Sequence, residues 1–244
     1  MTKIILTLFV CLFGMASNAQ TSENRNISGF TGISVTDGIQ LVIQSNGSKS
    51  LTIEAEDSAA LKNVVTELKG KTLKIYLLKE AQGIVKVIIP SGAINNITAN
   101  EYSTLFLDSE LISKEVSISL ASGAKFSGNI KCTSKVTLFA SSEALFEGKV
   151  TTKSFEANLK NNSIATLTGY AGRANVTCAS GSKFIADKFT VDYVSAHAEN
   201  KSKIALTVIN SIVAGSDDTS SVKYYGSPEN TVFDADSYAV KTIK

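Results

Sequence analysis

The chain of 244 residues has no tryptophan, one histidine, two prolines and three cysteines. A single histidine excludes a metal centre built from several histidines and an acid/base pair of two histidines. Ser, Thr, Asn, Val and Ile are abundant instead, and these residues are typical of turns and strands. With 43% hydrophobic residues, the chain can form a sizeable core and is too apolar for a disordered protein.

The first nineteen residues have the pattern of a secretory signal peptide. Lys3 precedes an unbroken apolar run at residues 4–13, and small residues lead to a predicted cleavage site after Ala19. The run is much shorter than the roughly 20 apolar residues of a membrane span. Cys11 lies inside the run, which argues against lipid attachment there. We therefore expect residues 20–244 to be exported to the periplasm, the outer membrane or the extracellular space, without membrane insertion after cleavage.

Signal removal would leave 244 − 19 = 225 residues with 23 basic and 22 acidic side chains, since Lys3 is lost. A net charge near +1 gives no general attraction to nucleic acid or to an anionic membrane. We therefore expect the partner to be an extracellular or envelope glycan or protein, and not a nucleic acid.

Two columns of apolar residues recur about every twenty residues along most of the chain. In the first, alternating segments begin 20, 19, 19 and 20 residues apart, at Val116, Val136, Phe155, Ala174 and Val194. The second runs through Leu105, Phe126, Phe146, Leu167, Phe184, Ile204 and Tyr224. Two columns with the same spacing indicate an internal structural repeat.

The alternation within each segment is the pattern of a β-strand, and twenty residues hold about three short strands with tight turns. Coils stacked at about 4.8 Å place equivalent apolar residues above one another in a parallel β-solenoid. The predicted fold class is therefore all-β, a parallel β-helix or solenoid with coils of about 20 residues. A β-sandwich also has short strands at regular intervals, but it does not explain why equivalent residues return every twenty.

This register predicts which side chains point into the solenoid. Each large one contributes roughly 1.5 to 3 kcal/mol by burial. The predicted inward residues are Val116, Ile118, Leu120, Phe126, Val136, Leu138, Phe146, Ala157, Leu159, Val176 and Phe184.

The register also places the two cysteines that remain after signal cleavage. Cys178 falls in the column of Leu120 and Leu159, so it is predicted to be buried. Cys132 is more than two coils away, about 10 Å along the axis, whereas a disulfide requires Cα atoms within about 7 Å. We therefore predict two free thiols.

Residues 25–90 are less regular and are predicted to form a cap of meandering or antiparallel strands. The predicted strands are 30–35, 38–44, 50–55, 64–68, 72–77 and 85–90, with one helical turn at 58–62. A cap is expected because open strand edges invite aggregation. No linker separates the cap from the coils at 91–244, so residues 20–244 are predicted to form one domain.

The strand order of this region resembles that of the auto-transporter adhesin head GIN domain family. The resemblance rests on Phe30-Thr-Gly-Ile-Ser-Val35, Asp37-Gly-Ile-Gln-Leu-Val-Ile43, Leu51-Thr-Ile-Glu-Ala55, Leu73-Lys-Ile-Tyr76 and Val85-Lys-Val-Ile-Ile-Pro90, followed by Ser- and Gly-rich coils. It covers nearly all of residues 20–244 and implies an exported, right-handed β-helix with an adhesin-like role. The shared sequences are structural and carry no catalytic signature.

The single histidine, His197, lies between two alanines, and alternation points it outward. Ser195 and Glu199 flank it on the same strand face. Side chains at these positions lie roughly 6 to 7 Å apart, too far for the hydrogen-bonded relay of a catalytic histidine. We interpret His197 as a surface residue.

Six aspartates are the only candidates for the carboxylate site of a polysaccharide-processing enzyme: Asp187, Asp192, Asp217, Asp218, Asp234 and Asp236. An inverting glycosidase needs two carboxyl groups roughly 6.5 to 9.5 Å apart. The sequence has no calcium-binding loop of the usual spacing. We interpret these residues as solvated turn residues, and whether the last four form a site stays open.

Four tyrosines near the C-terminus, Tyr193, Tyr224, Tyr225 and Tyr238, are compatible with a sugar-stacking strip or with a C-terminal cap. The sequence as a whole predicts an exported, non-catalytic, adhesin-like interaction module without metal or cofactor. No catalytic residue is assigned, and the ligand-binding residues stay open. Two alternatives also stay open: a lyase or glycosidase on a β-helix scaffold, and a self-associating envelope scaffold.

Overall fold

The computed structural model describes residues 21–27, 29–45, 50–234 and 240–243. The predicted signal peptide, Cys11, Asp236 and Tyr238 lie outside these residues. Parallel coils of about twenty residues stack into an all-β solenoid of about seven turns, which confirms the predicted fold class.

Nineteen strands and one short helix make up the described part of the chain. In chain order they are β1 (Thr21–Asn26), β2 (Gly32–Val35), β3 (Gln40–Gln44), β4 (Ser50–Ala55), α1 (Ser58–Asn63), β5 (Val64–Lys69), β6 (Thr72–Leu77), β7 (Val85–Pro90), β8 (Asn96–Ala99), β9 (Thr104–Leu107), β10 (Leu111–Leu120), β11 (Lys125–Ser127), β12 (Ile130–Ala140), β13 (Leu145–Leu159), β14 (Ile164–Cys178), β15 (Lys183–Ala198), β16 (Lys203–Ser216), β17 (Ser221–Tyr225), β18 (Asn230–Phe233) and β19 (Val240–Ile243).

The strands β10, β12, β13, β14, β15 and β16 lie side by side, and each pairs with the next in parallel. The first predicted column is confirmed, because Val116, Val136, Phe155, Ala174 and Val194 pair in that order. Parallel pairing of successive coils is incompatible with a β-sandwich, whose sheets are antiparallel. All the side chains predicted to point inward are buried.

The second column differs from the prediction at Leu167. Phe146 pairs with Ala165, and Ala165 pairs with Phe184, whereas Leu167 lies two residues further on, opposite Gly148. Because Ala165 is small and Leu167 is large, spacing alone favours Leu167 in a column of large residues. Leu167 is nonetheless buried, so the error concerns the pairing partner and not the face of the strand.

The same displacement by two residues occurs at Tyr224. Val222 pairs with Ile204, and Tyr224 pairs with Leu206. Tyr224 is buried and packs against Phe233, with the ring centres 6.2 Å apart. It therefore belongs to the core and not to an exposed tyrosine strip.

The N-terminal strands are interleaved with the first coils. Strands β2 and β3 form a coil between β6–β7 on one side and β8–β9 on the other, and all of these pairings are parallel. Antiparallel pairing, as predicted for a cap, joins β1 to β4, β4 to β7 and β5 to β6. The structure thus confirms the antiparallel strands but places β2 and β3 inside the parallel stack.

The helix α1 corresponds to the predicted helical turn at residues 58–62. The Oδ1 atom of Asp57 accepts a hydrogen bond from the backbone N–H of Ala60 at 2.7 Å. This carboxylate caps the first turn, and the buried Ala60 and Leu61 fix the helix against the core.

The core is continuous along the stack, and aromatic rings fill its middle. The rings of Phe126 and Phe146 stack with their centres 4.9 Å apart, at the spacing of adjacent coils. Cys132 and Cys178 are both free and Cys178 is buried, as predicted, and Cys132 is buried as well. Burial raises the pKa of Cys178 to about 12, and burial together with the Glu115 charge raises the pKa of Cys132 to about 11. Both thiols are therefore unreactive at neutral pH.

One corner of the coils repeats with little variation, and we call it the turn corner. Its two central residues have positive φ in coil after coil, as in type I′ turns. These pairs are residues 37–38, 101–102, 122–123, 142–143, 161–162, 180–181 and 200–201. Backbone hydrogen bonds join one turn to the next, for example from Asn162 N to Ser180 O at 2.9 Å. Their regularity identifies the turn corner as part of the scaffold.

Candidate ligand-binding groove

A second corner of the coils is irregular, and we call it the groove corner. It consists of residues 112–115, 133–135, 153–154, 172–173 and 192–193, where two or more successive residues are not buried. The alternation of buried and open positions breaks there because the chain bends between two faces of the solenoid. The number of open residues falls from four to two along the stack. The pairing register shifts accordingly, between Ser113 and Glu115 and between Lys131 and Lys135.

An open groove of about 780 Å³ follows this corner. We call it the Arg173 groove. It crosses five neighbouring strands, β10, β12, β13, β14 and β15, which corresponds to about 19 Å along the axis. Its charged and aromatic side chains are Lys114, Lys153, Tyr170, Arg173, Asp192 and Tyr193.

The Arg173 side chain is exposed and has few internal contacts. Its guanidinium carbon lies 5.7 Å from the centre of the Tyr193 ring, which is a cation–π contact. Arg173 and Tyr193 are paired residues of adjacent coils, and this pairing brings the two side chains together. Among the described residues, no carboxylate forms an ion pair with Arg173. Its N–H donors are therefore available to a ligand.

Arg25 is the other arginine of the sequence, and its guanidinium is fully engaged. It donates to Glu23 Oε1 at 2.8 Å, to the carbonyl oxygen of Val64 at 2.8 Å and to Thr66 Oγ1 at 3.1 Å. Arg25 thus fastens β1 to β5. The contrast indicates that Arg173 does not serve to hold the fold together.

Tyr170 and Asp192 form a pair on the groove wall. The Tyr170 hydroxyl donates a hydrogen bond to Asp192 Oδ2 at 2.5 Å. This hydrogen bond raises the pKa of Tyr170, so the phenol stays protonated at neutral pH. The pair holds the Tyr170 ring at the surface, where 40% of the residue is exposed, and Tyr193 on the next coil is 50% exposed.

Hydroxyl groups line the part of the groove that β12 and β13 form. Thr133, Ser134 and Ser154 line it beside Lys114 and Lys153. The buried Thr152 lies below them, and its Oγ1 is 3.2 Å from the carbonyl oxygens of both Ser134 and Ser154. Thr152 therefore stabilises the bend, and the Ser134 hydroxyl donates a hydrogen bond to Glu115 Oε1 at 3.3 Å. Hydroxyl, cationic and aromatic groups together suit a polar ligand with some apolar surface.

A second depression, of about 520 Å³, lies beside the first turns of the turn corner. Two of its carboxylates are used internally. Asp37 Oδ2 accepts a hydrogen bond from the backbone N–H of Leu77 at 2.9 Å, and Glu101 Oε2 accepts from Thr36 Oγ1 at 2.8 Å. These two carboxylates therefore belong to the scaffold, while Lys79 and Glu80 also line the depression.

His197 is exposed, as predicted, in the column of Ser119, Phe139, Asn158 and Thr177. Its Nε2 atom is 4.0 Å from Glu199 Oε2, and its Nδ1 atom is 4.0 Å from Asp234 Oδ2. Sequence reasoning missed Asp234 as a neighbour. Gly215 lies on the strand between those of His197 and Asp234 and pairs with His197. A Cβ atom at Gly215 would be 2.0 Å from Asp234 Oδ2. The absence of that side chain lets His197 and Asp234 approach across one coil. Both distances exceed a hydrogen bond.

Asp217 accepts hydrogen bonds from its own turn and from the turn of the preceding coil. Its carboxylate accepts hydrogen bonds from Asn200 N at 2.6 Å and from Thr219 N at 3.0 Å. These bonds, with a further one from Ser220, lower the pKa of Asp217 to about 2. Asp217 therefore lies at a turn as predicted, engaged with the backbone.

The aspartates do not form a common cluster among the described residues. Asp192 lies in the Arg173 groove, Asp217 caps a turn and Asp234 neighbours His197. No three His, Cys, Asp or Glu side chains of the described ranges are close enough to hold a metal ion together. In the same ranges, no helix is long and apolar enough to cross a membrane.

Sequence reasoning identified Tyr193 but missed Tyr170, Arg173 and Asp192 as its partners in a groove. The signal was present in the repeat: Arg173 and Tyr193 are twenty residues apart, and each lies at the break in its strand's alternation. Of the predicted tyrosine strip, Tyr193 is in the groove, Tyr224 is in the core and Tyr225 is half-buried.

The parallel solenoid with an open lateral groove defines a class of non-globular scaffold that presents a long surface to its partners. The chain belongs to the family described as "Putative auto-transporter adhesin, head GIN domain", whose model matches residues 29–228. Membership confirms the resemblance found in the sequence and identifies the chain as an adhesin-like module. No curated protein matches the sequence.

Several solved structures share the fold. A putative adhesin from Parabacteroides merdae has a TM-score of 0.82 at 17% identity, covering 92% of this chain and 96% of that one. A putative adhesin from Parabacteroides distasonis has a TM-score of 0.80 at 16% identity, covering 92% and 97%. A putative lipid binding protein from the same species has a TM-score of 0.77 at 16% identity, also covering 92% and 97%. At these identities the similarity establishes the fold.

Proposed function

We propose that residues 20–244 form an exported, non-catalytic interaction module that binds an extracellular or envelope glycan in the Arg173 groove. The observation that carries the proposal is the pairing of an exposed, uncompensated Arg173 with the exposed ring of Tyr193. Aromatic rings bind the apolar faces of sugars, and polar side chains around them fix orientation.

The chemistry of the groove supports binding over catalysis. Its one lining carboxylate, Asp192, is hydrogen-bonded to the neutral Tyr170, and Glu115 accepts a hydrogen bond from the groove residue Ser134, whereas a glycosidase requires two carboxyl groups free to flank the bond to be broken. A lipid ligand, as in the name of one structural relative, is less compatible with the lysines and serines that line the groove.

The experiment is a glycan array combined with a polysaccharide-degradation panel on residues 20–244. Tyr193→Ala is compared with Phe139→Ala, since Phe139 is a similarly exposed aromatic residue outside the groove, at 44% exposure. We expect glycan binding without product, a loss of about tenfold or more in affinity for Tyr193→Ala, and no change for Phe139→Ala.

Three results would contradict the proposal. They are the absence of any bound glycan, an equal loss of affinity in both variants, and the release of cleaved product. The last result would favour a polysaccharide-processing enzyme.

A further inference from the structure

We propose that the ligand of the Arg173 groove is an anionic polysaccharide, a sugar chain that carries carboxylate or sulfate groups. This inference rests on the proposed function and adds the chemical class of the glycan. Its basis is charge complementarity between such a chain and three cationic side chains that line one groove.

The groove is lined by three cationic residues, Lys114, Lys153 and Arg173, and by one anionic residue, Asp192; a second carboxylate, Glu115, accepts a hydrogen bond from the groove residue Ser134. With Glu115 counted, the local balance is 3 − 2 = +1, so cations still outnumber carboxylates at the groove. Among the described residues, none of the three cations forms an ion pair, whereas Lys86 and Lys135 are paired with Glu54 and Glu156. The groove therefore attracts anions although the protein as a whole is nearly neutral.

Asp192 offsets part of this attraction, because a hydrogen bond from a neutral phenol leaves the charge of its carboxylate in place. Its Oδ2 atom accepts a hydrogen bond from the Tyr170 hydroxyl, which holds the carboxylate at the groove wall. The Tyr170 ring stands beside it as a second exposed aromatic surface. The groove thus combines cationic donors with two rings, a set that fits an acidic sugar better than a free inorganic anion.

The positions of the cations fit a polymer. Lys114 lies on β10, Lys153 lies two strands further on β13, and Arg173 lies on the adjacent strand β14. These steps correspond to about 10 Å and about 5 Å along the solenoid axis. A chain laid along the groove can meet all three cations at once, whereas a single acidic sugar can meet only one or two. The affinity should therefore increase with chain length until the chain spans about 15 Å.

Arg173 is suited to fix the acidic group nearest to the rings. Its contact with Tyr193 orients the guanidinium, and this planar group binds carboxylate or sulfate through two parallel hydrogen bonds. Lysine provides the same charge without this geometry. An Arg173→Lys variant should therefore retain charge attraction and lose part of the specific affinity.

The test uses residues 20–244 and two pairs of polymers that differ in charge: dextran sulfate with dextran, and polygalacturonate with its methyl ester. Calorimetry measures wild type, Arg173→Lys, Lys153→Ala and the control Lys183→Ala. Lys183 is an exposed lysine on the same solenoid, outside the groove. Single-stranded DNA serves as a polyanion without sugar acids in its repeat.

We expect at least one acidic polymer to bind ten times more tightly than its neutral counterpart, with weaker binding at high salt. Lys153→Ala and Arg173→Lys should lose about threefold or more, and Lys183→Ala less than twofold. Binding should strengthen from di- to tetrasaccharide fragments of the acidic polymer that binds.

The outcomes separate this inference from the proposed function. Equal binding of charged and neutral polymers, with loss in the groove variants, would refute the anionic class but retain a glycan site in the groove. Tighter binding of single-stranded DNA than of both acidic polymers would also refute it. If neither these polymers nor any arrayed glycan bound in a way that depends on the groove, both proposals would be wrong.

Discussion

The two corners of the coil differ in what they repeat. At the turn corner, seven turns have the same backbone conformation, although their central residues include Ser, Glu, Tyr, Asn and Lys. At the groove corner, the number of open residues changes from four to two and the register shifts. The first corner conserves backbone geometry from coil to coil, and the second varies it.

This difference indicates where a solenoid can acquire function. A corner closed by backbone hydrogen bonds from coil to coil leaves few free donors and acceptors. A corner with bulges redirects side chains outward, and such irregularities are enriched next to binding sites. The Arg173 groove lies at the irregular corner, so scaffold and recognition are separated around the same coil.

The largest expected effect comes from the core on which both corners depend. Phe146→Asp should abolish folding, because it places a carboxylate in the middle of the ring stack at a cost of several kcal/mol. Lys149→Asp, three residues away and exposed, should be tolerated. Thermal unfolding followed by circular dichroism measures both, and equal melting curves would contradict the register of the solenoid.

A smaller loss of stability is expected when a substitution strains the backbone of the turn corner. Asn162 has φ of 63°, a conformation that asparagine tolerates and β-branched residues avoid. Asn162→Val should therefore lower the free energy of unfolding by about 1 to 2 kcal/mol, while Asn162→Gly should stay close to wild type. Denaturant unfolding of both variants provides the measurement. A valine variant as stable as wild type would show that the turn corner does not constrain the fold as described.

Acidification should weaken the turn between β16 and β17 through Asp217. Its pKa is lowered from 3.8 to about 2 in the folded protein, so its stabilisation is present above pH 4 and is lost as the pH falls toward 2. The melting temperatures of wild type and Asp217→Asn should differ at pH 6 and converge near pH 2. A constant difference across this range would rule out the carboxylate as the cause.

The smallest effect on stability is expected at the groove. Arg173→Ala should change the free energy of unfolding by less than about 0.5 kcal/mol, as for an exposed side chain outside any hydrogen-bond network. Arg25→Ala should lower the melting temperature clearly, because Arg25 holds three groups of β1 and β5. If Arg173→Ala were the more destabilising variant, Arg173 would be a structural residue.

The sequence predicted the solenoid because the core alternates at a fixed period, from Val116 to Val194, and the buried Cys178 followed from the neighbouring column of Leu120 and Leu159. It did not predict the interleaving of β2 and β3, because pairing between distant coils leaves no local signal. It placed Leu167 in the position that Ala165 occupies, two residues away, because the column otherwise consists of large side chains.

The groove was predicted least well, for a physical reason. Tyr170 and Asp192 lie on adjacent strands but are not paired residues, so they meet through side-chain reach that strand periodicity does not describe. Arg173 and Tyr193 are different: they occupy paired positions, so the repeat alone places them side by side. Breaks in alternation at the same phase of each coil are therefore a usable sequence signal for such grooves.

The most direct test of the separation between scaffold and recognition is amide chemical-shift mapping of isotope-labelled residues 20–244 on addition of dextran sulfate. We expect the shifts to change at Lys114, Lys153, Arg173 and Tyr193 and to stay constant at the turn corner, including Asn162. Changes confined to the turn corner or to the ends of the stack would contradict the account.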